Sequence, residues 1–179
     1  MIIDLTKPIY AGMPVYPGDP EVKLESLASI KTDGYANALL STSMHAGTHI
    51  DGLGHMLENQ VSISNVPLSS LIGNAFVVDA NKPIDILDVD FLIIKGQSKL
   101  DLAWVQSYLH KPLKAILIES DSPDESPYLV HKYLFSEGIY IVENLTNLEA
   151  LPKNERFKLF IIPLKIVADS SPCRVFAEI

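Results

Sequence analysis

Four acid or imidazole side chains fall within eleven residues of this chain, in the run His45-Ala-Gly-Thr-His49-Ile-Asp51-Gly-Leu-Gly-His55. In a regular strand, at about 3.3 Å per residue, His45 and His49 would sit roughly 13 Å apart, too far to share one ion. A helical turn would bring them together but would carry Asp51 off that face. The spacing therefore predicts a bent loop following a strand, with the bend at Gly47, where glycine tolerates backbone conformations that other residues resist.

Neutral imidazole and carboxylate oxygen are ordinary ligands of a Zn²⁺-like ion at ~2.0–2.2 Å. A lone histidine reads as a core or surface residue, but four such donors packed this closely read as a site. Closed structural zinc sites draw on cysteine, and this chain has one, Cys173. The composition thus favours a working site with open coordination positions. Cys173, beside Pro172, reads as a packed small residue and allows no intramolecular disulfide, so a cytoplasmic location is the expectation.

At 179 residues with 47% hydrophobic side chains, the chain is expected to form a single domain over 1–179 with a real core. A formal charge of -8 gives it no basic face, which argues against nucleic acid or an anionic membrane as partner. The opening Met-Ile-Ile-Asp-Leu-Thr-Lys carries charges where a secretion signal needs an unbroken apolar stretch. Apolar runs such as Phe160–Leu164 are far short of the ~20 residues that span a bilayer. A small-molecule substrate is the remaining partner class.

Apolar, β-branched runs at Ile2–Leu5, Ala75–Asp79, Phe91–Ile94, Ala115–Ile118, Ile139–Val142, Lys158–Val167 and Arg174–Ile179 predict strands. Leu102, Val105 and Leu109 space a helix over Leu100–Leu109, in whose core Trp104 is expected. A second helix is predicted with Ser126 as its N-cap, Pro127 at its first position and Gly138 as its stop. Strands alternating with two helices make a mixed α/β domain. The turn-forming stretch Gly12–Pro20 should be an ordered loop.

His131 falls inside that second helix, and Glu143 on the strand that follows Gly138. Ile139, Ile141 and Glu143 share parity, so the carboxylate points to an apolar face. It is costly there unless paired, hydrogen-bonded or bound to a cation. A strand-end glutamate reaching solvent, with His131 partly exposed, is the ordinary alternative.

Taken together, these residues resemble the metal-dependent cyclase family, whose familiar members are bacterial kynurenine formamidases and isatin hydrolases. Residues 45 to 55 match its pattern His-x-Gly-Thr-His-x-Asp-x-Pro-x-His at every position but one, Leu53 standing in place of proline. Asp4-Leu5 and Tyr16-Pro17-Gly18-Asp19 are similar to the family's opening. His131 and Glu143, within His-x-x-Leu…Gly-Ile…Glu-Asn-Leu-x-Asn-Leu, match its later donors, and Pro163-Leu-Lys…Ser171-Pro172-x-Arg174-Val175 its close. There are departures beyond Leu53. Phe91–Gln97 stands where the family has a Thr-Gly-Trp-like element and an insertion, and Glu119-x-x-Ser122-x-Asp124 where it has Asp-x-x-Ser-x-Asp.

The resemblance implies a swivelling β/β/α domain with a mixed sheet and few helices, forming a homodimer or higher homo-oligomer. It implies one or two divalent ions per subunit, Zn²⁺ first and Mn²⁺ as an alternative. His45, His49 and Asp51 would hold the first ion; Asp51, His131 and Glu143 would hold or border a second. Tyr16 and Asp19 would lie on the substrate side. A cation with an open position lowers the pKa of water to ≈ 7 and polarises a carbonyl; His55, close to the ligands, is then placed to move protons. The expected reaction is hydrolysis of an N-formyl amide such as N-formylkynurenine, or of a cyclic amide. An isatin-like, lactone or lactam ring is the alternative substrate, and a noncatalytic metal-binding protein the alternative class.

Overall fold

The computed structural model describes residues 1–85, 88–96, 99–109 and 112–179. In chain order the elements are β1 (Ile2–Asp4), β2 (Lys23–Ala28), α1 (Ile30–Asp33), β3 (Asn37–Ser41), β4 (His49–Asp51), β5 (Ile72–Asp79), β6 (Phe91–Lys95), α2 (Leu102–Tyr108), β7 (Ala115–Ile118), α3 (Leu129–Ser136), β8 (Tyr140–Glu143), β9 (Phe157–Pro163) and β10 (Ser170–Glu178). The main sheet runs β1-β10-β4-β8-β7-β6-β5-β9, and β9 pairs back onto β10. Seven strands therefore close into a barrel. Neighbours from β5 through β8 are parallel and the other pairs antiparallel, so the barrel is mixed. The mixed α/β class with few helices is as expected; closure, which removes open sheet edges, is not written in any one run of sequence.

Alternation along the central strands divides the core in two. Phe91, Ile93, Leu117, Val142, Leu159 and Val175 fill the barrel. Leu92, Ile94, Ile116, Ile118 and Ile141 face outward and pack against Trp104 and Val105 of α2 and Val130, Leu134 and Phe135 of α3. Strands covered on both faces need apolar side chains at every position, which is why these runs read as continuous.

α2 begins two residues inside its expected span, with Asp101 accepting from the Trp104 amide at 2.9 Å. α3 begins at Leu129 instead of Pro127. The Ser126–Pro127 bond is cis and both residues lie in the preceding turn, while Asp124 Oδ2 takes the capping role by accepting from the Val130 amide at 2.6 Å. Gly138 does stop the helix, at φ 76°, with the Ile139 amide returning to the Leu134 carbonyl. β9 ends at Pro163, short of Val167, and β10 starts four residues before Arg174. Those extra residues, Ser170–Pro172, pair with β4.

The hairpin of β2 and β3, with α1 between them, had no counterpart in the sequence reading. Its strands are exposed along almost their whole length and have no buried face to impose a period. Gln97, at the end of the segment that departs from the family pattern, lies outside the described residues. Among the described residues no helix is long and apolar enough to cross a membrane.

Candidate metal centre

β4 is three residues long and buried throughout, held between β10 and β8. Ile50 points into the barrel, so His49 and Asp51, one residue to either side, share the opposite face. In the antiparallel register with β8, His49 stands opposite Glu143 and Asp51 opposite Ile141. Glu143 thus lands beside His49 on the face turned toward α3. It is only 4% exposed, which excludes the strand-end glutamate reaching solvent.

The chain enters β4 through the bend expected at Gly47, whose φ is +66°, and a Cβ there would press on Ile9. The bend returns His45 to the cluster, its Nδ1 2.9 Å from Asp51 Oδ1. His49 and Asp51 themselves sit on a strand, so the loop ends sooner than the spacing alone suggested. After β4 the chain presses against β10: the Gly52 amide donates to the Asp169 carbonyl at 3.0 Å, and any Cβ at Gly52 would overlap that oxygen. A short 3₁₀ turn, Leu53–His55, then carries His55 back over His45, with ring centroids 4.4 Å apart.

His131 arrives from α3, with Nε2 3.4 Å from Glu143 Oε1 and 3.9 Å from Asp51 Oδ2. Its Nδ1 is hydrogen-bonded to Asp124 Oδ1. His49 donates Nδ1–H to the Gly47 carbonyl at 2.9 Å, which leaves Nε2 facing Asp51 Oδ1 and Glu143 Oε2, each at 3.4 Å. An imidazole with one nitrogen committed to a carbonyl or carboxylate is oriented to offer the other to a metal.

Among the described residues three buried atoms, His49 Nε2, Asp51 Oδ1 and Glu143 Oε1, have no hydrogen-bond partner; the 2.9 Å approach of His45 to Asp51 Oδ1 lacks hydrogen-bond geometry. Each such atom costs about 1–3 kcal/mol if left unpaired. A cation would satisfy all three. Among the described residues two donor triads meet the distance requirement, His45-Asp51-His55 and His49-Asp51-Glu143, with the ligand atoms of each within 4.8 Å of one another. Opposed ligands of one ion at ~2.2 Å lie about 4.4 Å apart. All six residues predicted for metal and proton transfer are therefore together, with Asp51 common to both triads. The grouping differs from the one the resemblance implies: His55 joins His45 and Asp51, and His131 packs against Glu143.

Burial opposes charge on His49, but the Asp51 and Glu143 carboxylates outweigh it and push the imidazole up to about 10. Burial likewise opposes charge on His131, and Asp124 and Glu143 bring it to about 9. His45 is raised against its burial by Asp51, while Asp51, though buried, is held far below the usual carboxylate range by His45 and His49.

Two residues that touch the cluster were not singled out from sequence as belonging to it. Asp169 Oδ2 lies 3.2 Å from His55 Nδ1 and 3.5 Å from His45 Nε2, and accepts from the Ser170 hydroxyl at 3.1 Å. Its position depends on the β10–β4 pairing, 114 residues from His55. Asp124 entered the sequence reading only within Glu119-x-x-Ser122-x-Asp124, a departure from the family pattern; its contact with His131 depends on where α3 starts.

The cluster forms the floor of a cavity of about 840 Å³. Tyr16 and Asp19 line its wall, so Gly12–Pro20 is not a plain surface turn. The neighbouring Tyr128 hydroxyl raises the Tyr16 pKa. Tyr128 sits in the left-handed region at φ 59° and packs edge-on to His131. Trp104 lies away from the cavity in the helix core, as expected. Cys173 is buried, and burial pushes its thiol well up, as suits a packed residue.

Comparison with known proteins gives the same picture. The chain is 28% identical over 201 residues to a kynurenine formamidase of Sphingopyxis alaskensis, covering 97% of this chain and 95% of that protein. It superposes on a predicted metal-dependent hydrolase from Bacillus stearothermophilus with TM-score 0.80 at 26% identity, covering 99% and 97% of the two chains. An isatin hydrolase from Labrenzia aggregata shares the fold at TM-score 0.80 and 19% identity, over 99% and 93%. The family described as "Putative cyclase" matches residues 3–141. That span runs from β1 into β8 and takes in His45, His49, Asp51, His55 and His131, stopping two residues before Glu143. The chain belongs to this cyclase family.

Proposed function

We propose that the protein is a divalent-metal-dependent hydrolase of a small amide-type compound, an N-formyl amide such as N-formylkynurenine or a cyclic amide. The observation that carries this reading is the set of buried, unpartnered donor atoms on His49, Asp51 and Glu143 at the floor of an open cavity, with a further imidazole and carboxylate, His55 and Asp169, at its side. The likeness to kynurenine formamidases over nearly the whole chain supports it. The donor set fits a borderline cation, Zn²⁺ first and Mn²⁺ second, one or two per subunit. His45, His49, Asp51, His131 and Glu143 would hold it. When bound, such a cation polarises a carbonyl and lowers the pKa of water to ≈ 7.

The remaining work falls to the protein's own groups. Expulsion of an amine from an amide needs a proton delivered to nitrogen, and attack by water needs one removed. His55 is half-buried beside the cluster, with Nδ1 held at Asp169; its other nitrogen would take the proton from water and return it to the leaving nitrogen. Asp169 positions that ring. Asp124 does the same for His131, and Tyr16 and Asp19 face the substrate from the wall.

A homo-oligomer is part of the same reading. The β2–β3 hairpin exposes Leu24, Leu39 and Leu40 at about half their surface or more, and Ile30 further still. A two-stranded ribbon is marginal in water unless another surface covers it. A second copy of the chain would do so.

The test is a hydrolysis screen of N-formylkynurenine, isatin and simple lactams, run with elemental analysis and with chelator. Metal-dependent turnover of the formamide is expected. Activity that persists after complete metal removal would overturn the reading; turnover of isatin alone would keep the enzyme and move the substrate to a ring.

A further inference from the structure

The described residues lining the cavity include Asp19, Asp51, Asp121 and Glu143 but a single lysine or arginine, Lys7. Its backbone is fixed where the chain leaves β1 and crosses the end of β8. Thr6 bridges Leu145, and the Thr146 amide donates to the Leu5 carbonyl at 3.0 Å. The Lys7 amide donates to Thr48 Oγ1 at 2.9 Å, and that hydroxyl in turn donates to the Asn144 carbonyl at 2.6 Å. The Lys7 side chain then reaches Asn144 Oδ1 at 3.0 Å. Asn144, in the left-handed region at φ 60°, directly follows Glu143 of the metal cluster.

An ammonium group has three N–H donors. Here one is taken by a neutral amide, and no carboxylate lies within ion-pair distance of Lys7 among the described residues. This is unusual in a chain with 22 acids and 14 bases, where a lysine needing only a surface partner has many to choose from. The charge is half-buried and fixed by its backbone, in a space where electrostatic attraction is stronger than in bulk water. A neutral amide substrate makes no use of it. An anionic one finds, apart from the metal cluster, no other fixed positive charge among the described residues of the wall.

We propose that Lys7 is the anchor for a carboxylate on the substrate, placed beside Glu143 so that the anion is held at the cavity wall while the amide lies over the cluster. The inference rests on the hydrolase reading and narrows it to amides that carry a carboxylate, with Lys7 as the residue that selects them. Asn144 acts as the positioning residue that keeps the ammonium turned to the cavity.

The experiment compares N-formylkynurenine with its α-carboxamide on the metal-loaded wild type, Lys7→Met and Lys7→Arg. Lys7→Met is expected to raise KM about ten- to a hundredfold for the carboxylate, the worth of a hydrogen bond to a charged group, and to leave the carboxamide unchanged, with Lys7→Arg recovering most of the loss. Equal losses on both compounds would make Lys7 a structural latch to Asn144, and no loss on either would give it no part; both outcomes overturn the proposal. If the wild type turns over neither compound, the formamidase reading fails for this substrate and binding decides on Lys7. The probe is then 4-oxo-4-phenylbutanoate, an aryl keto acid without a scissile amide, titrated calorimetrically alongside its carboxamide. Acid binding that falls at least about tenfold in Lys7→Met supports the anchor. Equal binding of acid and carboxamide by the wild type, acid binding untouched by the substitution, or no acid binding at all would overturn it.

Discussion

His55 and His49 stand a few ångströms apart in the same cluster and are predicted to fail differently. His49 is buried, oriented by the Gly47 carbonyl and aimed at two carboxylates, so His49→Ala should lose metal and activity together. His55→Ala should keep most of the metal, because other donors remain around Asp51, yet lower kcat by roughly 10²–10⁴-fold, the usual worth of positioned proton transfer. The contrast is sharp because His55 also lies within ligand distance of His45 and Asp51. Metal analysis of the two variants decides: equal loss of metal makes His55 a ligand. Asp169→Asn keeps the shape of the group holding His55 but removes its charge. It should lower kcat about ten- to a hundredfold, the effect typical of an oriented imidazole losing its carboxylate, with KM little changed. A KM effect with kcat intact would instead place Asp169 in substrate binding.

At the scale of elements, the site is a join between β4, β8 and the start of α3, and the charges at this join should make the metal-free protein sensitive to pH. His49 and His131 are raised from 6.5 to about 10 and about 9 in the fold. A group whose folded pKa is raised contributes its stability in full below its unfolded pKa and loses it as pH rises through the folded value. Chelator-treated protein should therefore melt at progressively lower temperature from about pH 6.5 to about pH 10. With metal bound, the cation replaces those protons as the partner of Asp51 and Glu143, so Tm should hold across that window. Calorimetry at matched ionic strength with and without chelator tests this, and a metal-free Tm that is flat or rising from pH 6.5 to 10 would refute it.

For the whole molecule, the barrel has closed its main sheet, and the exposed apolar surface of β2 and β3 is where the proposed second copy would dock. Leu39→Lys combined with Leu40→Lys should leave the barrel folded, since neither side chain enters the buried clusters. The same change should shift the mass measured by sedimentation toward the single chain. If the wild type already sediments as a single chain, the hairpin has another role. Should the variant become monomeric and lose activity while keeping metal, the neighbouring copy contributes to the site or to its rigidity.

The run from His45 to His55 specified its own bend and its own chemistry, because glycine at position 47 and the density of donors are local properties. Continuous apolar, β-branched runs announced strands, and the parity of Ile139, Ile141 and Glu143 put a carboxylate on one face of β8, the face on which His49 stands opposite it. These were legible because side-chain period and donor type act over a few residues. Barrel closure, the pairing of Ser170–Pro172 with β4 and the capping of α3 by Asp124 instead of Ser126 were not, since each depends on which distant segment competes best for the same backbone groups. Asp169 at His55 and Lys7 at Asn144 belong with these: 114 and 137 residues separate the partners, and only the closed sheet brings them within hydrogen-bond reach. Sequence determined which donor side chains this chain carries close together, and tertiary structure decided which distant groups stand beside them, because pairing of remote strands is settled by competition across the whole chain.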